Sequence, residues 1–122
     1  MKDKVLIVDD EEIICEVAQE MFEILGVEAF IAMDMSEAVK CFQEKHEEIA
    51  LAILDYNLPE TNGVDILNEL LKINKDFVPI LATGMYVKSD IPKYQAMGFH
   101  DVIDKPYGLD VLKDLSRKYV KR

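Results

Sequence analysis

A chain of 122 residues has the length of one domain and is large enough for a single apolar core. Its formal charge of −10, from 24 acidic against 14 basic residues, argues against direct binding to nucleic acid or an anionic membrane surface and favours cations or metal ions as partners. No apolar run approaches the roughly 20 residues of a membrane span, and the polar start Met1-Lys2-Asp3-Lys4 is no signal peptide, so a cytoplasmic protein is the expectation.

Strand-like apolar runs cover Val5 to Val8, Val27 to Ala32, Ala50 to Leu54, Val78 to Ala82 and Val102-Ile103, and helical patterns separate them. Five strands alternating with five helices predict an α/β fold, a parallel sheet covered on both faces. The first helix, from about Glu11, places Ile14, Val17, Ala18, Met21 and Leu25 on one stripe and stops at Gly26, a natural left-handed cap residue. Asp9 and Glu12 have capping-box spacing, which is the structural alternative to a chemical role for Asp9-Asp10. Cys15, in this helix, and Cys41, in the next, belong to no Cys-x-x-Cys pair and read as helix side chains in a reducing compartment.

The second helix opens near Asp34 to Ser36 and carries Met35, Ala38, Val39 and Phe42 at helical spacing. His46, near its end, has no second ligand at metal-binding spacing and reads as solvated. The third strand ends in Asp55-Tyr56-Asn57-Leu58-Pro59, and the third helix follows Gly63 with Val64, Leu67, Leu70 and Leu71 facing inward. Asp and Pro are ordinary turn residues, so Asp55 alone proves little. After the fourth strand, Thr83-Gly84-Met85-Tyr86 leads into a short helix from about Ser89 to Met97, marginal without packing and a candidate mobile element. The fifth strand runs into Asp104-Lys105-Pro106. The last helix buries Val111, Leu112, Leu115 and Tyr119 and ends in the basic tail Arg117, Lys118, Lys121 and Arg122, which suits a helix C-terminus.

In a doubly wound sheet of order 2-1-3-4-5 the winding reverses between strands 1 and 3, and ligands bind there. Asp9, Asp10 and Asp55 then share one crevice. Two charges about 4 Å apart repel by roughly 4 kcal/mol at an effective dielectric near 20, so the grouping calls for a cation. A site with few carboxylates and room for water suits Mg²⁺ better than Ca²⁺. Strands 4 and 5 add Thr83, a hydroxyl, and Lys105, a point charge, the groups suited to an incoming phosphoryl oxygen.

Asp9-Asp10 after strand 1, Asp55 with Pro59 and Gly63 after strand 3, Thr83 after strand 4 and Lys105-Pro106 after strand 5 together resemble the receiver domain of two-component response regulators, over the whole chain. The resemblance implies a flavodoxin-like, CheY-like fold and a single receiver domain over residues 1–122, either stand-alone or part of a longer protein such as a hybrid kinase. It further implies that Asp55 accepts a phosphoryl group from a phosphohistidine on a sensor histidine kinase or phosphotransfer domain. Asp10, Asp55 and the Asn57 carbonyl would bind Mg²⁺, with Mn²⁺ as a substitute and Asp9 acting through a water. Lys105 would hold the phosphoryl group and Thr83 would hydrogen-bond it in the active state. The expected protein is a phosphoacceptor that self-phosphorylates from small donors and dephosphorylates itself, rather than an enzyme acting on a substrate pool. Its output would pass through the face of the fourth helix, fifth strand and fifth helix to an effector protein or tethered domain. A cis peptide is implied before Pro106.

One position departs from the family. An aromatic usually stands three residues before the lysine, and here it is Val102; Tyr86, Tyr94 and Tyr107, which otherwise read as ordinary surface residues, are the nearby substitutes. Three alternatives fit less well. A haloacid-dehalogenase phosphatase needs a second Asp where Asn57 stands. A flavodoxin needs a hydroxyl- and glycine-rich loop where the chain has Asp-Asp-Glu-Glu. A receiver-like module that is never phosphorylated has no need of the intact acidic residues, Thr83 and Lys105.

Overall fold

The computed structural model describes residues 2–58 and 60–120. Pro59 of the motif, and Lys121 and Arg122 of the basic tail, lie outside the described residues. Strands β1 (Lys4–Val8), β2 (Ala29–Ala32), β3 (Ile49–Asp55), β4 (Val78–Thr83) and β5 (Asp101–Asp104) alternate with helices α1 (Glu12–Ile24), α2 (Met35–Lys45), α3 (Gly63–Ile73), α4 (Ile91–Ala96) and α5 (Leu109–Tyr119). All strand pairs are parallel and the order is β2-β1-β3-β4-β5, the doubly wound, flavodoxin-like arrangement.

Strand alternation divides the core into two layers. Leu6, Val8, Ala52, Leu54, Leu81 and Val102 face α2, α3 and α4, meeting Phe42, Leu67, Leu70 and Tyr94. Val5, Ile7, Leu51, Ile53, Ile80 and Ile103 face α1 and α5, meeting Ala18, Phe22, Leu112 and Leu115. Every residue of β3 is buried, as expected of a central parallel strand apolar on both faces.

The helix ends follow local chemistry. Asp34 caps α2 by accepting from the Glu37 N–H at 2.8 Å, while the Glu37 side chain accepts from the Met33 N–H at 2.9 Å. Asn62 caps α3 by accepting from the Asp65 N–H at 3.0 Å. Helix α1 closes with Gly26 at φ 77°, and the Val27 N–H donates to Phe22 O at 2.8 Å, a Schellman arrangement.

Several expectations are corrected. Asp9 and Glu12 form no capping box: α1 starts after Glu11, no side chain caps it, and the Asp9 carboxylate instead accepts from the Glu11 N–H. The most buried residues of α1 are Cys15, Ala18 and Phe22; of the expected stripe Ala18 is buried and Ile14, Met21 and Leu25 pack half-buried against the same cluster, while Val17, 46% exposed, falls outside it. On α5, Val111 is likewise exposed while Leu112 and Leu115 are buried. Ile66, passed over on α3, is fully buried. Strand β2 begins at Ala29 rather than Val27, because Val27 is spent closing α1. His46 is half-buried and its Nδ1 lies 2.9 Å from Asn74 Nδ2, so it is a packed structural residue. Tyr94 and Tyr107 are buried; of the three tyrosines only Tyr86 is exposed.

Helix α4 is the shortest, six residues preceded by a 3₁₀ turn over Lys88–Asp90, and it is held chiefly by Tyr94 and the half-buried Ile91. Gly98, at φ 116°, turns the chain back so that the Phe99 N–H reaches Tyr94 O.

Candidate functional site

Register decides what meets at the carboxyl edge of the sheet. Val8 pairs with Leu54, Asp55 with Ala82, and Thr83 with Asp104, so the residues ending β1, β3, β4 and β5 converge on one cleft. That cleft, about 600 Å³, is lined by Asp10, Glu11, Asp55, Asn57, Gly84 and Lys105 among others. A larger groove of about 920 Å³ lies between α2 and the loop after β3, lined by Met33, Met35, Val39 and Leu58 among others. The acidic cluster is not in that groove, and the chemistry belongs to the smaller cleft.

Asp9, Asp10 and Asp55 each present a carboxylate oxygen within 4.8 Å of the other two, a spacing one cation could bridge. Asp9 and Asp55 are buried, at 2% and 4% exposure, and Asp10 is half-buried. The hard oxygen donors, few in number and open to the cleft, fit Mg²⁺. The cation already in place is Lys105, whose Nζ lies 2.9 Å from Asp9 Oδ2, 3.1 Å from Asp55 Oδ2 and 3.3 Å from Glu11 Oε1. Its peptide bond to Pro106 is cis.

These contacts shape the ionisation of the site. Burial pushes the Asp55 carboxyl above its ordinary range and the Asp9 charge adds to that, while Lys105 and a hydrogen bond from the Asn57 backbone pull the other way. Burial acts to lower the pKa of the Lys105 ammonium, but its bonds to Asp9 and Asp55 outweigh burial and raise it. Two further groups lie close by. Burial, reinforced by Asp9, raises the Cys15 thiol from 9.0 to about 11, and Sγ donates to Asp9 O at 3.3 Å. Burial, and then Asp9, also raise the Tyr107 hydroxyl.

Asp55 is held from behind by α3. An added Cβ on Gly63 would lie 2.7 Å from the Asp55 carbonyl oxygen, so only glycine lets the helix start this close. The intervening loop is tied by an Asn57–Asn62 bridge and by the Leu58 N–H donating to Thr61 O. On the other side the buried Thr83 hydroxyl accepts from the Met85 N–H at 3.1 Å, and the Lys105 N–H donates to Thr83 O at 2.9 Å. Thr83 therefore links the site to the exposed segment Met85-Tyr86-Val87 before α4.

The structure brings Asp9, Asp10, Asp55, Asn57, Thr83 and Lys105 to one edge. The sequence reading did not anticipate Glu11 as a partner of Lys105; its only signal is that it directly follows Asp10. Nor did it anticipate that Tyr56, next to Asp55, packs edge-on against Tyr94 with ring centroids 5.9 Å apart. Val102 is buried on the α4 side, where no aromatic from β5 reaches.

A doubly wound sheet with three carboxylates, a lysine and a threonine at its switch point is the arrangement that the resemblance to receiver domains calls for. The response regulator receiver domain model matches residues 5–117, and the chain belongs to that family. It is 34% identical over 117 residues to the aerobic respiration control sensor protein ArcB of Escherichia coli K12, covering 94% of this chain and 15% of that protein. It is 27% identical over 120 residues to sporulation initiation phosphotransferase F of Bacillus subtilis 168, covering 98% of this chain and 95% of that one. A solved receiver domain from Clostridium thermocellum superposes with a TM-score of 0.86 at 28% identity, over 95% of this chain and 92% of that one. The chain thus spans a small part of some curated relatives and nearly all of another. Among the described residues no helix is long and apolar enough to cross a membrane.

Proposed function

We propose that Asp55 is the phosphoacceptor of a cytoplasmic two-component relay, receiving its phosphoryl group from a histidine kinase or phosphotransfer domain. The observation that carries this reading is the placement of Asp55: buried, 3.1 Å from Lys105 Nζ and within 4.8 Å of the Asp9 and Asp10 oxygens. An Asp55 carboxylate oxygen attacks phosphorus and forms a P–O bond. The P–N bond of phosphohistidine breaks, its electron pair stays on the imidazole nitrogen, and that nitrogen is left neutral or takes up a solvent proton. Lys105 neutralises the phosphoryl oxygens as they enter the cleft.

Asp10, Asp55 and the Asn57 carbonyl would hold Mg²⁺, with Asp9 acting through water; the bound ion would offset charge on the transferring group. The same site would accept a phosphoryl group from a small donor and later lose it to water, so the protein is a phosphoacceptor rather than an enzyme acting on a substrate pool. The new group adds about −1.5 to −2 charges and needs donors. The Thr83 hydroxyl is the available one, and recruiting it disturbs the Met85 N–H that it now accepts from. The segment 84–87 and the short α4 should move with it, presenting the α4-β5-α5 face to an effector protein or tethered domain. With Val102 in place of an aromatic, less volume is exchanged and the shift is the smaller for it.

Incubation with acetyl phosphate and Mg²⁺ followed by intact mass tests the reading. One added phosphoryl group is expected, and none when Mg²⁺ is chelated before the donor is added or in Asp55→Asn. An unchanged gain in the Asp55→Asn protein would place the acceptor elsewhere.

A further inference from the structure

An ammonium has three N–H donors, and three carboxylate oxygens surround Lys105 Nζ at 2.9, 3.1 and 3.3 Å, from Asp9, Asp55 and Glu11. Donors and acceptors are matched in number. A phosphoryl oxygen entering the cleft is a fourth acceptor, so one of the present three must give way.

The three differ in what release costs. The Asp9 and Asp55 side chains are 3% and 6% exposed and belong to the acceptor site itself, so neither has room to swing away into water. The Glu11 side chain is 60% exposed and recovers its hydration as soon as it swings out. Its backbone stays in place meanwhile, because the Glu11 N–H donates to Asp9 Oδ1 at 2.9 Å. Asp9 thus binds the Glu11 backbone with one oxygen and Lys105 with the other, which sets the Glu11 side chain beside the lysine.

We infer that Glu11 is a positioning residue, a displaceable latch that holds Lys105 at the mouth of the unphosphorylated site and is exchanged for a phosphoryl oxygen. This inference rests on the phosphoacceptor reading of Asp55. The latch holds the lysine extended toward the cleft, and it competes with the group the lysine is to bind. Removing it leaves Lys105 on Asp9 and Asp55 and lowers the cost of binding a phosphoryl group.

The test compares Glu11→Gln with Glu12→Gln, which removes a charge from the next residue, one for which no contact with Lys105 is found. Beryllofluoride serves as the phosphoryl stand-in at saturating Mg²⁺, followed by amide NMR shifts, and the Lys105 ammonium signal is followed separately in the metal-free protein. In Glu11→Gln the half-saturating beryllofluoride concentration should fall about two- to fivefold, the factor an exposed ion pair is worth. The ammonium protons should also exchange faster with water. Glu12→Gln should do neither. Equal shifts in both variants would reduce the effect to overall charge and overturn the latch, as would an unmoved half-saturation or an unmoved ammonium signal in Glu11→Gln. If the unmodified protein bound no beryllofluoride, the phosphoacceptor reading and the displacement would fall together. Normal binding with no response in Glu11→Gln would remove the displacement alone.

Discussion

The ammonium of Lys105 lies 3.1 Å from Asp55 Oδ2, so the residue that ends β3 and the residue that follows β5 form an ion pair only 6% and 11% exposed at their side chains. Removing one partner of such a pair strands the other. In the metal-free protein Lys105→Ala should lose on the order of 3 kcal/mol in urea denaturation. Because the lysine's pKa is raised, its contribution is fully present below the unfolded value of about 10.5 and fades as pH climbs through the folded one. Added Mg²⁺ should restore part of the loss. Equal stability of the variant and the parent without divalent ions would mean that the carboxylates are neutralised in another way.

Binding of Mg²⁺ should raise the melting temperature by several degrees, since a ligand at a hundredfold its Kd stabilises by about 2.7 kcal/mol. The rise should depend on pH. Asp55 has a raised pKa, so its ionisation disfavours folding as pH passes upward through the unfolded value near 3.8, and an added cation relieves that cost only above this range. Thermal scans at pH 4 and pH 7.5 should therefore show a small and a large Mg²⁺ effect. Asp10→Asn, which removes one of the clustered charges, should stabilise the metal-free protein and abolish the rise. Identical scans with and without the ion would count against a metal site.

Gly63→Ala places a Cβ 2.7 Å from the Asp55 carbonyl oxygen and 3.1 Å from Leu81 Cδ1. Backbone cannot yield as a side-chain tip can, so the start of α3 or the end of β3 must move. A loss of about 1–3 kcal/mol is expected, with a drop in labelling by acetyl phosphate beyond what unfolding explains. A variant that keeps full stability and full labelling would show that this contact does not position Asp55.

Cys15 is 1% exposed and its thiol is raised to about 11 against 9.0 when unfolded. An acid raised on folding stays neutral longer in the folded state, so stability is unaffected below pH 9 and declines between about pH 9 and 11, by roughly 2–3 kcal/mol at most. Cys15→Ala should flatten that decline. Thiol reagents at pH 8 should modify the half-buried Cys41 well before Cys15. Equal reaction rates at the two cysteines would contradict the burial that causes the shift.

Much of this molecule was legible from one dimension. A parallel strand buried on both faces is a continuous apolar run, and the residue that ends the run must stand at the edge of the sheet. Asp9, Asp10, Asp55, Thr83 and Lys105 could therefore be placed at strand ends, and the alternation of strand and helix required the covered parallel sheet that the structure has. Cap residues such as Asp34 and Gly26 act within a few positions of themselves, so they too were readable.

Tertiary structure decided what depends on how one element is turned against another. Periodicity shows that α1 has an apolar side and puts Ile14, Ala18, Met21 and Leu25 on it, but that Cys15 and Phe22 are its most buried members while Ile13 and Val17 face outward is decided by packing on β1 and β2 and against α5. On α5 the packing of Leu112 and Leu115 likewise leaves Val111 facing outward. Asp9 could have capped α1; Lys105, 96 residues later, and the Glu11 N–H hold its carboxylate instead. Glu11 itself is one acidic residue among four in a row until β5 brings a lysine to within 3.3 Å of it. Tyr94 and Tyr107 read as surface residues because the short segments that carry them have little periodicity, and the sheet beneath them buries both. Charge and period are local properties, whereas the partner a charge meets is set by the strand order that brings distant ends of the chain to one edge.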